Sequence, residues 1–334
     1  MKGLFARLRS IGLSTPYVRK FLLPDWWEDE AAETPTGFTE AVWTVARHLG
    51  VEPQQLLDGS EAIALPRRHN VKFKLAQGAD EQSVELARTL GEQVVRFTLL
   101  GVERPEGATR EGAQQIRSRI LDAGAPWVGF GALLDYCWDV GIPVLHLAEF
   151  PKGATKKMDG LAVNIGGQAA IVLASGRASA SWLLFHLAHE LAHILRGHVD
   201  DGGTVVDGAI DQGSSDPLEK EANDFAIELI TGQVGTTVAP TGRWPDAPAL
   251  AMAAQHLGEQ ISVDPGHLVL NYAHSMRGNF WGVANAALKR LPNEGDPAAM
   301  IRERLAANLD WSALPPEAAE FVARMTRLDI EAAT

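Results

Sequence analysis

The sequence predicts an α+β fold, with a short β-rich region between two helical regions. Apolar residues recur three and four positions apart in 41–49 and in 84–90, which is the spacing of helices that pack on one face. Strand-like composition is confined to the middle of the chain, in 142–147, 160–165 and 169–174. Gly-Gly-Gln at 166–168 separates the last two runs and suits a tight hairpin turn. We therefore expect a small sheet with helices before and after it.

Three features are predicted to separate the helices near the two ends of the chain. Residues 25–38 are acidic and contain Pro35 and Gly37, which is typical of a loop. Gly258 and the segment 261–266 are expected to interrupt the helical pattern of the C-terminal region.

The chain is long enough for more than one structural unit, because 334 residues exceed the usual size of a single core. A polar segment that begins with Pro-Glu-Gly at 105–107 and a proline-rich segment, 240–248, indicate where units meet. We predict a helical N-terminal domain, 1–105, a middle domain, 106–235, and a helical C-terminal region, 236–334.

The composition predicts a folded cytoplasmic protein. A content of 46% hydrophobic and 22% charged residues excludes a chain that is disordered over most of its length. The single cysteine, Cys137, has no partner for an internal disulfide, as is usual in a reducing compartment. Residues 1–13 lack the apolar core of a signal peptide, and no apolar run reaches the roughly 18 residues of a membrane span. We expect no membrane contact.

The charge distribution restricts where nucleic acid could bind. A formal net charge of -12 argues against a protein that coats nucleic acid non-specifically. Basic residues cluster in 1–24 and in 67–74, so the N-terminal region is the one plausible nucleic-acid surface. The simpler interpretation of both clusters is a solvated face.

Two helices near the middle of the chain carry the residues that could bind a metal ion and catalyse a reaction. After an earlier helix predicted around 130–140, the first of the two is predicted over 178–196 and ends where Gly197 allows the chain to turn. A polar loop over 198–216 then leads into a helix that starts at Pro217 and runs to about residue 231.

The first of these two helices contains a metal-binding pattern. His189 and His193 are four positions apart, so both imidazoles lie on one helix face and can reach one ion. Glu190 follows the first histidine and can face a water molecule on that ion. A catalytic zinc with two histidines needs a third protein ligand, and Glu219 or Glu221 at the start of the next helix can supply it.

Glu219 is favoured over Glu221 as the third ligand. Ala222 and Asn223 follow Glu219 at the spacing of the Glu-x-x-Ala-Asn/Asp arrangement of zinc peptidases. The small residue would pack under the metal helix, and the polar one would brace a histidine. The expected cofactor is Zn²⁺, although two histidines and one carboxylate also accept manganese, iron or cobalt.

These residue types in this order predict hydrolysis of a peptide bond. A zinc ion polarises a carbonyl group and makes its water more acidic. Glu190 would act as the general base, which takes a proton from the attacking water and returns it to the leaving amine.

The motifs resemble those of the ImmA/IrrE family of metallopeptidases, and the resemblance covers about 112–231. The segments that carry it are the strand 142–147, the helix 185–198 and the helix start 219–226. Residues 261–270 are similar to the C-terminal segment of members that are fused to an Xre-type DNA-binding domain, and residues 38–57 to the last helices of such a domain.

The resemblance implies a fold, an activity and a partner. The fold would be a zincin-like metallopeptidase core, in which a small mixed sheet lies beside the active-site helices. The activity would be cleavage of one folded protein at a defined site, such as an Xre-family helix-turn-helix repressor, which would derepress stress-response, mobile-element or phage-defence genes. An edge strand of the sheet would pair with the extended substrate, and residues 159–174 are predicted to form that edge.

Several other polar residues near the motif have more than one interpretation. His198 is predicted to cap the helix or to support a ligand, with catalysis or substrate contact as the alternative. Cys137 is expected to be a core thiol rather than a redox group. Tyr272, His274 and Arg277 form a polar group in an otherwise apolar region, and one interpretation is that they reach the cleft and stabilise the oxyanion.

Two other functions compete with a peptidase. The chain could be a non-catalytic DNA- or protein-binding regulator with a structural metal, although structural zinc sites are usually closed by four protein ligands. It could also be a toxin–antitoxin component whose N-terminal domain carries the activity.

Overall fold

The computed structural model describes residues 1–24, 26–58, 62–66, 71–74, 81–103, 111–147, 149–151, 159–174, 176, 179–207, 216–235, 245–276, 280–292 and 294–329. The α-helices in chain order are α1 (Lys2–Ser10), α2 (Thr15–Tyr17), α3 (Pro35–Leu49), α4 (Pro53–Leu57), α5 (Glu81–Thr98), α6 (Ala113–Asp122), α7 (Phe130–Asp139), α8 (Ala180–Leu195), α9 (Pro217–Thr231), α10 (Ala247–Ile261), α11 (Pro265–Ser275), α12 (Trp281–Leu288), α13 (Pro297–Asn308) and α14 (Pro316–Thr326). The strands are β1 (Val71–Lys74), β2 (Val144–His146), β3 (Gly160–Ile165), β4 (Gln168–Leu173) and β5 (Thr204–Asp207). Val18–Leu22 forms a π-helix, and Asp29–Glu33, Leu99–Gly101 and Trp311–Ala313 form 3₁₀-helices.

The strands form one mixed sheet within the described residues, in the order β1-β5-β3-β4-β2. β3 is antiparallel to both of its neighbours, whereas β2 is parallel to β4 and β1 is parallel to β5. The β3–β4 hairpin turns at Gly166 and Gly167, whose φ angles of 62° and 79° are left-handed, as a two-residue hairpin turn requires. The α+β class, the small mixed sheet and the helical regions around it are confirmed.

Helices cover both faces of this sheet. One hydrophobic core combines the N-terminal helices, α5 and α14 with Val172 of β4. The other core combines the helices from α6 to α12 with Ile171 and Leu173 of the same strand. Neighbouring residues of β4 therefore enter different cores, as the two-residue period of a strand requires.

The predicted domain boundaries, after residues 105 and 235, adjoin the segments 104–110 and 236–244, which lie outside the described residues. The division into three domains stays a prediction. In the ranges that the structure describes, no helix combines the length and the apolar character that a membrane crossing needs.

Two strands differ from the sequence prediction. β5 lies within 198–216, which is predicted as a loop, and β1 lies in the N-terminal region, which is predicted as helical. β1, Val-Lys-Phe-Lys, alternates over only four positions, the shortest run that indicates a strand, and β5, Thr-Val-Val-Asp, does not alternate. β5 is held by pairing with β3 and by Thr204, whose hydroxyl donates a hydrogen bond to the buried Glu92 carboxylate at 2.6 Å. Contacts with distant parts of the chain therefore decide its conformation.

The prediction that residues 159–174 form a sheet edge is wrong. β3 has β5 on one side and β4 on the other, and β4 lies between β3 and β2. The edge strands of the described sheet are β1 and β2. β5 pairs with the backbone groups that the hairpin would leave open on β3, and β2 pairs with those on β4.

α3 begins earlier than predicted, at Pro35, within the segment 25–38 that is predicted as a loop. The Thr34 side chain accepts a hydrogen bond from the Gly37 backbone N–H at 3.1 Å and so caps the helix. Proline suits the first helical position, because the N–H that it lacks would have no helical partner there.

α10 continues through Gly258, which is predicted to interrupt it, and ends at Ile261. A Cβ atom at Gly258 would lie 2.5 Å from the Val263 carbonyl oxygen. Glycine is therefore needed here for the close return of the chain rather than for a break. The predicted break at 261–266 is confirmed, since α11 begins at Pro265.

A buried arginine joins the ends of two helices. Arg117 on α6 donates hydrogen bonds to the carbonyl oxygens of Ile230 at 2.7 Å and Ser262 at 2.6 Å. These carbonyls lie at the C-terminal ends of α9 and α10, where a helix has no internal donors for them. Arg117 thereby fixes the far end of α9.

His48 makes stability depend on pH. It is fully buried on α3, its ring stacks on Phe321 with centroids 4.2 Å apart, and its Nδ1–H donates to the Leu22 carbonyl oxygen at 3.0 Å. Burial lowers the pKa of His48 from 6.5 to about 3. The unfolded chain therefore binds a proton that the folded chain does not, and stability falls as the pH drops from 6.5 towards 3.

We predict that His48→Phe reduces this pH dependence. The free energy of unfolding of the unmodified protein should fall more steeply below pH 6 than that of the variant, by about 1 kcal/mol per pH unit. Urea unfolding at several pH values between 7 and 4 measures the difference. The exposed His256 provides the control substitution, His256→Phe. Equal slopes for the protein and His48→Phe would contradict the prediction.

Candidate metal centre

α8 and α9 have ends that are well defined by local contacts. α8 lies on the sheet, and the chain leaves it at Gly197, whose φ is 73°. α9 begins after Asp216, whose side chain accepts a hydrogen bond from the Leu218 backbone N–H at 2.9 Å. Glu219 thus lies in the first turn of α9, where the positive end of the helix dipole favours a carboxylate.

α8 packs directly on α9, and both helices contribute small residues to the core that they share. Ala188 and Ala192 of α8 and Ala222 and Ala226 of α9 are fully buried there. Small side chains allow two helix backbones to approach closely, so the Glu219 side chain on α9 can reach the two histidines on α8.

The structure brings His189, His193 and Glu219 together. The two Nε2 atoms are 3.1 Å apart. One Glu219 oxygen lies 3.2 Å from His193 Nε2, and the other lies 3.5 Å from His189 Nε2. Among the described residues this is the group of His, Cys, Asp and Glu side chains whose donor atoms converge closely enough to hold a metal ion.

The dimensions of the group fit a zinc ion. Nitrogen and oxygen ligands lie about 2.0–2.1 Å from zinc, so two ligands of a tetrahedral site are about 3.3 Å apart. The observed separations of 3.1 to 3.5 Å bracket that value. Both histidines are fully buried and Glu219 is 4% exposed. A buried carboxylate needs a nearby positive charge, which a divalent cation would supply.

Glu190 is also fully buried, and its carboxylate lies against the first residue of β3. A Cβ atom at Gly160 would be only 2.0 Å from Glu190 Oε1 and 2.7 Å from Cδ. The missing side chain at position 160 therefore makes the space that the Glu190 carboxylate occupies. Gly160 is not among the predicted site residues, although a glycine at the start of an apolar strand indicates a close approach.

His198 and Glu221 lie behind His193, on the side opposite to the metal group. His198 Nδ1 is 2.9 Å from His193 Nδ1, and His198 Nε2 is 3.2 Å from Glu221 Oε2. Glu221, the alternative third ligand, is half exposed and also faces Arg196 at 3.6 Å. It is Glu219, not Glu221, that the fold places beside the two histidines.

The other residues considered from the sequence have varied surroundings. Asn223 is buried one turn after Glu219, and its role as a brace stays a prediction. Cys137 is fully buried in the α7 core, where burial raises the pKa of its thiol. Tyr272 packs on Phe280, with ring centroids 5.4 Å apart, and His274 is exposed. Neither makes a described contact with the metal group, and Arg277 lies outside the described residues.

His267, a buried histidine near the metal group, was not among the site residues predicted from the sequence. His267 on α11 stacks on Phe185, and Phe185 in turn lies beside His189, with ring centroids 6.3 Å apart in each pair. Burial lowers the pKa of His267 to about 4, so it is neutral near pH 7. Only the fold brings α11 against α8, so no local signal could have identified it.

The sequence matches no model of a protein family, and no curated protein or solved structure matches it either. A function must therefore be argued from the residues of the site.

We predict that Gly160→Ala destabilises the protein, because the added methyl group would clash with the Glu190 carboxylate. The added methyl group would force the carboxylate out of its space, at a cost of about 1–3 kcal/mol in the free energy of unfolding. In a Glu190→Ala background the same change should cost much less, because the obstructing side chain is gone. Chemical unfolding of the two single variants and the double variant measures this coupling. Additive effects would show that the two residues do not touch.

Proposed function

We propose that this protein is a zinc-dependent endopeptidase in which His189, His193 and Glu219 hold Zn²⁺ and Glu190 is the general base. The observation that carries the proposal is the buried convergence of two Nε2 atoms and one carboxylate at 3.1 to 3.5 Å. Glu190 directly follows His189 in the chain, and its carboxylate lies against Gly160 of β3.

A catalytic role is favoured over a structural one by the number of ligands. Structural zinc sites are usually closed by four protein side chains, whereas catalytic sites use three. Within the described part of the chain, the converging group has three members, and no fourth His, Cys, Asp or Glu joins it. This arrangement is the one expected of a hydrolytic site.

The residues of the chain have separate tasks in the proposed reaction. Bound zinc supplies a Lewis acid that polarises the peptide carbonyl group. Glu190 accepts a proton from the attacking water on a carboxylate oxygen and later delivers it to the leaving nitrogen. Glu190 is fully buried against Gly160, and this confinement would limit the motion of the proton acceptor during the reaction.

We further propose that the substrate is a folded partner protein in the cytoplasm. The support is the similarity of 185–198 and 219–226 to the ligand helices of the ImmA/IrrE family. By this proposal the partner is an Xre-family helix-turn-helix repressor, and its cleavage derepresses stress-response, mobile-element or phage-defence genes. The place where an extended substrate would pair with the sheet would then be an edge strand, β1 or β2.

We predict that Glu190→Gln retains zinc and loses cleavage, whereas His193→Ala loses both. The amide of glutamine is close in size to the carboxylate but does not accept a proton, and alanine removes a ligand. Metal analysis of purified protein and cleavage of a repressor encoded next to this gene give the two measurements. Glu40→Gln, on an exposed residue of α3, is the matched control and should behave as the unmodified protein.

Two results would contradict the proposed peptidase function. If Glu190→Gln cleaves the repressor as fast as the unmodified protein, Glu190 is not the base. If zinc binds with one ion per chain and no cleavage occurs, while the protein shifts promoter DNA in a gel, a non-catalytic regulator with a structural metal explains the site better.

A further inference from the structure

The turn that ends α8 brings His198 back to a metal ligand. The His198 backbone N–H donates to the His193 carbonyl oxygen at 2.9 Å, and the Gly197 N–H donates to the Ile194 carbonyl oxygen at 3.1 Å. With Gly197 in the left-handed conformation, these two bonds form a Schellman motif. His198 therefore no longer follows the helical rotation of 100° per residue, and its ring lies directly behind the ring of His193.

The ring contacts allow one consistent placement of protons. If His193 Nε2 binds a metal, its proton is on Nδ1, which then donates to His198 Nδ1 at 2.9 Å. His198 must in turn carry its proton on Nε2, which donates to Glu221 Oε2 at 3.2 Å. Each of these two hydrogen bonds then joins one donor to one acceptor, and no two donors face each other.

The series runs from the interior to the surface. His193 is fully buried, the His198 side chain is 4% exposed, and the Glu221 side chain is 49% exposed. Arg196 Nε lies 3.6 Å from the second Glu221 oxygen, and its guanidinium stacks on Phe225 at 5.1 Å. Glu221 is thus held by Arg196 and His198, which directly follow the end of α8.

The helix geometry of α9 explains why two acids so close in sequence have different partners. Glu219 and Glu221 are two residues apart, which is a rotation of about 200° around a helix axis. One carboxylate therefore meets the Nε2 side of His193, and the other meets the ring behind it.

We infer that His198 is a positioning residue for the ligand His193 and that Glu221 orients His198. This inference rests on the proposed metal site but not on peptidase activity. A partner on the second nitrogen of a ligand histidine fixes the ring orientation and makes the coordinating nitrogen more basic. Loss of such a partner typically weakens metal binding by about 10- to 100-fold.

The test measures zinc affinity by competition with a chelator, in the full-length protein. His198→Ala removes the acceptor and should weaken binding by about 10- to 100-fold. His198→Asn places an amide oxygen near the former Nδ1 and should regain most of the lost affinity. Glu221→Ala should cause a smaller loss than His198→Ala. His274→Ala, on an exposed histidine of α11, is the control and should bind zinc normally.

Two further measurements distinguish positioning from a general loss of structure. The visible absorption of the cobalt-substituted protein reports ligand geometry, and it should change in His198→Ala and return in His198→Asn. Urea unfolding of the metal-free variants shows whether each is folded. Since Glu221 is half exposed, its alanine variant gives a second reading that does not depend on core packing.

The outcomes separate the two ideas. If the unmodified protein does not bind zinc, the proposed metal site fails. If the unmodified protein binds zinc, and folded His198→Ala and Glu221→Ala bind it equally well with unchanged cobalt spectra, the positioning role is overturned. Graded loss with rescue by asparagine supports it.

Discussion

A carboxylate buried between two imidazoles is the constraint on which the surrounding structure depends. Glu219 can stay charged in the interior only if a positive charge lies within reach, so α8 and α9 must hold their side chains at a fixed separation. The buried alanines set how closely the two helices approach, and the cap at Asp216 sets where α9 begins. The sheet supports α8 from the other side and supplies the space for Glu190 at Gly160. Much of the second core therefore serves to keep three donor groups together.

Those parts of the fold that depend on neighbouring residues could be predicted, and those that depend on distant ones could not. The start of α9 at Pro217 and the Gly-Gly turn of the β3–β4 hairpin follow from local backbone preferences. β5 has no comparable local signal, because its pairing with β3 and the bond from Thr204 to Glu92 connect residues far apart in the chain. Part of the error over the sheet edge follows from that, since the unrecognised β5 makes β3 an interior strand, while β2 does the same for β4.

The same distinction applies within the site. The spacing of His189 and His193 on one helix, followed by an acid at the start of the next, was sufficient to predict the group that converges. Helical geometry could not place His198, since the chain has left the helix at Gly197 and turned back. For Gly160 the sequence indicates a close approach but not the approaching group, because that group is the Glu190 side chain on another element.

Arg117 gives α9 opposite charges at its two ends. The helix has 15 residues and is thus about 22 Å long, with the Glu219 carboxylate in its first turn and the guanidinium at its last carbonyls. Each charge offsets the partial charge at the nearer end of the peptide dipoles, and the offset at Arg117 does not involve a metal. α9 therefore has electrostatic reasons to stay helical in the metal-free protein. An arriving ion would meet a ligand already in place, and little chain entropy would be lost when it binds.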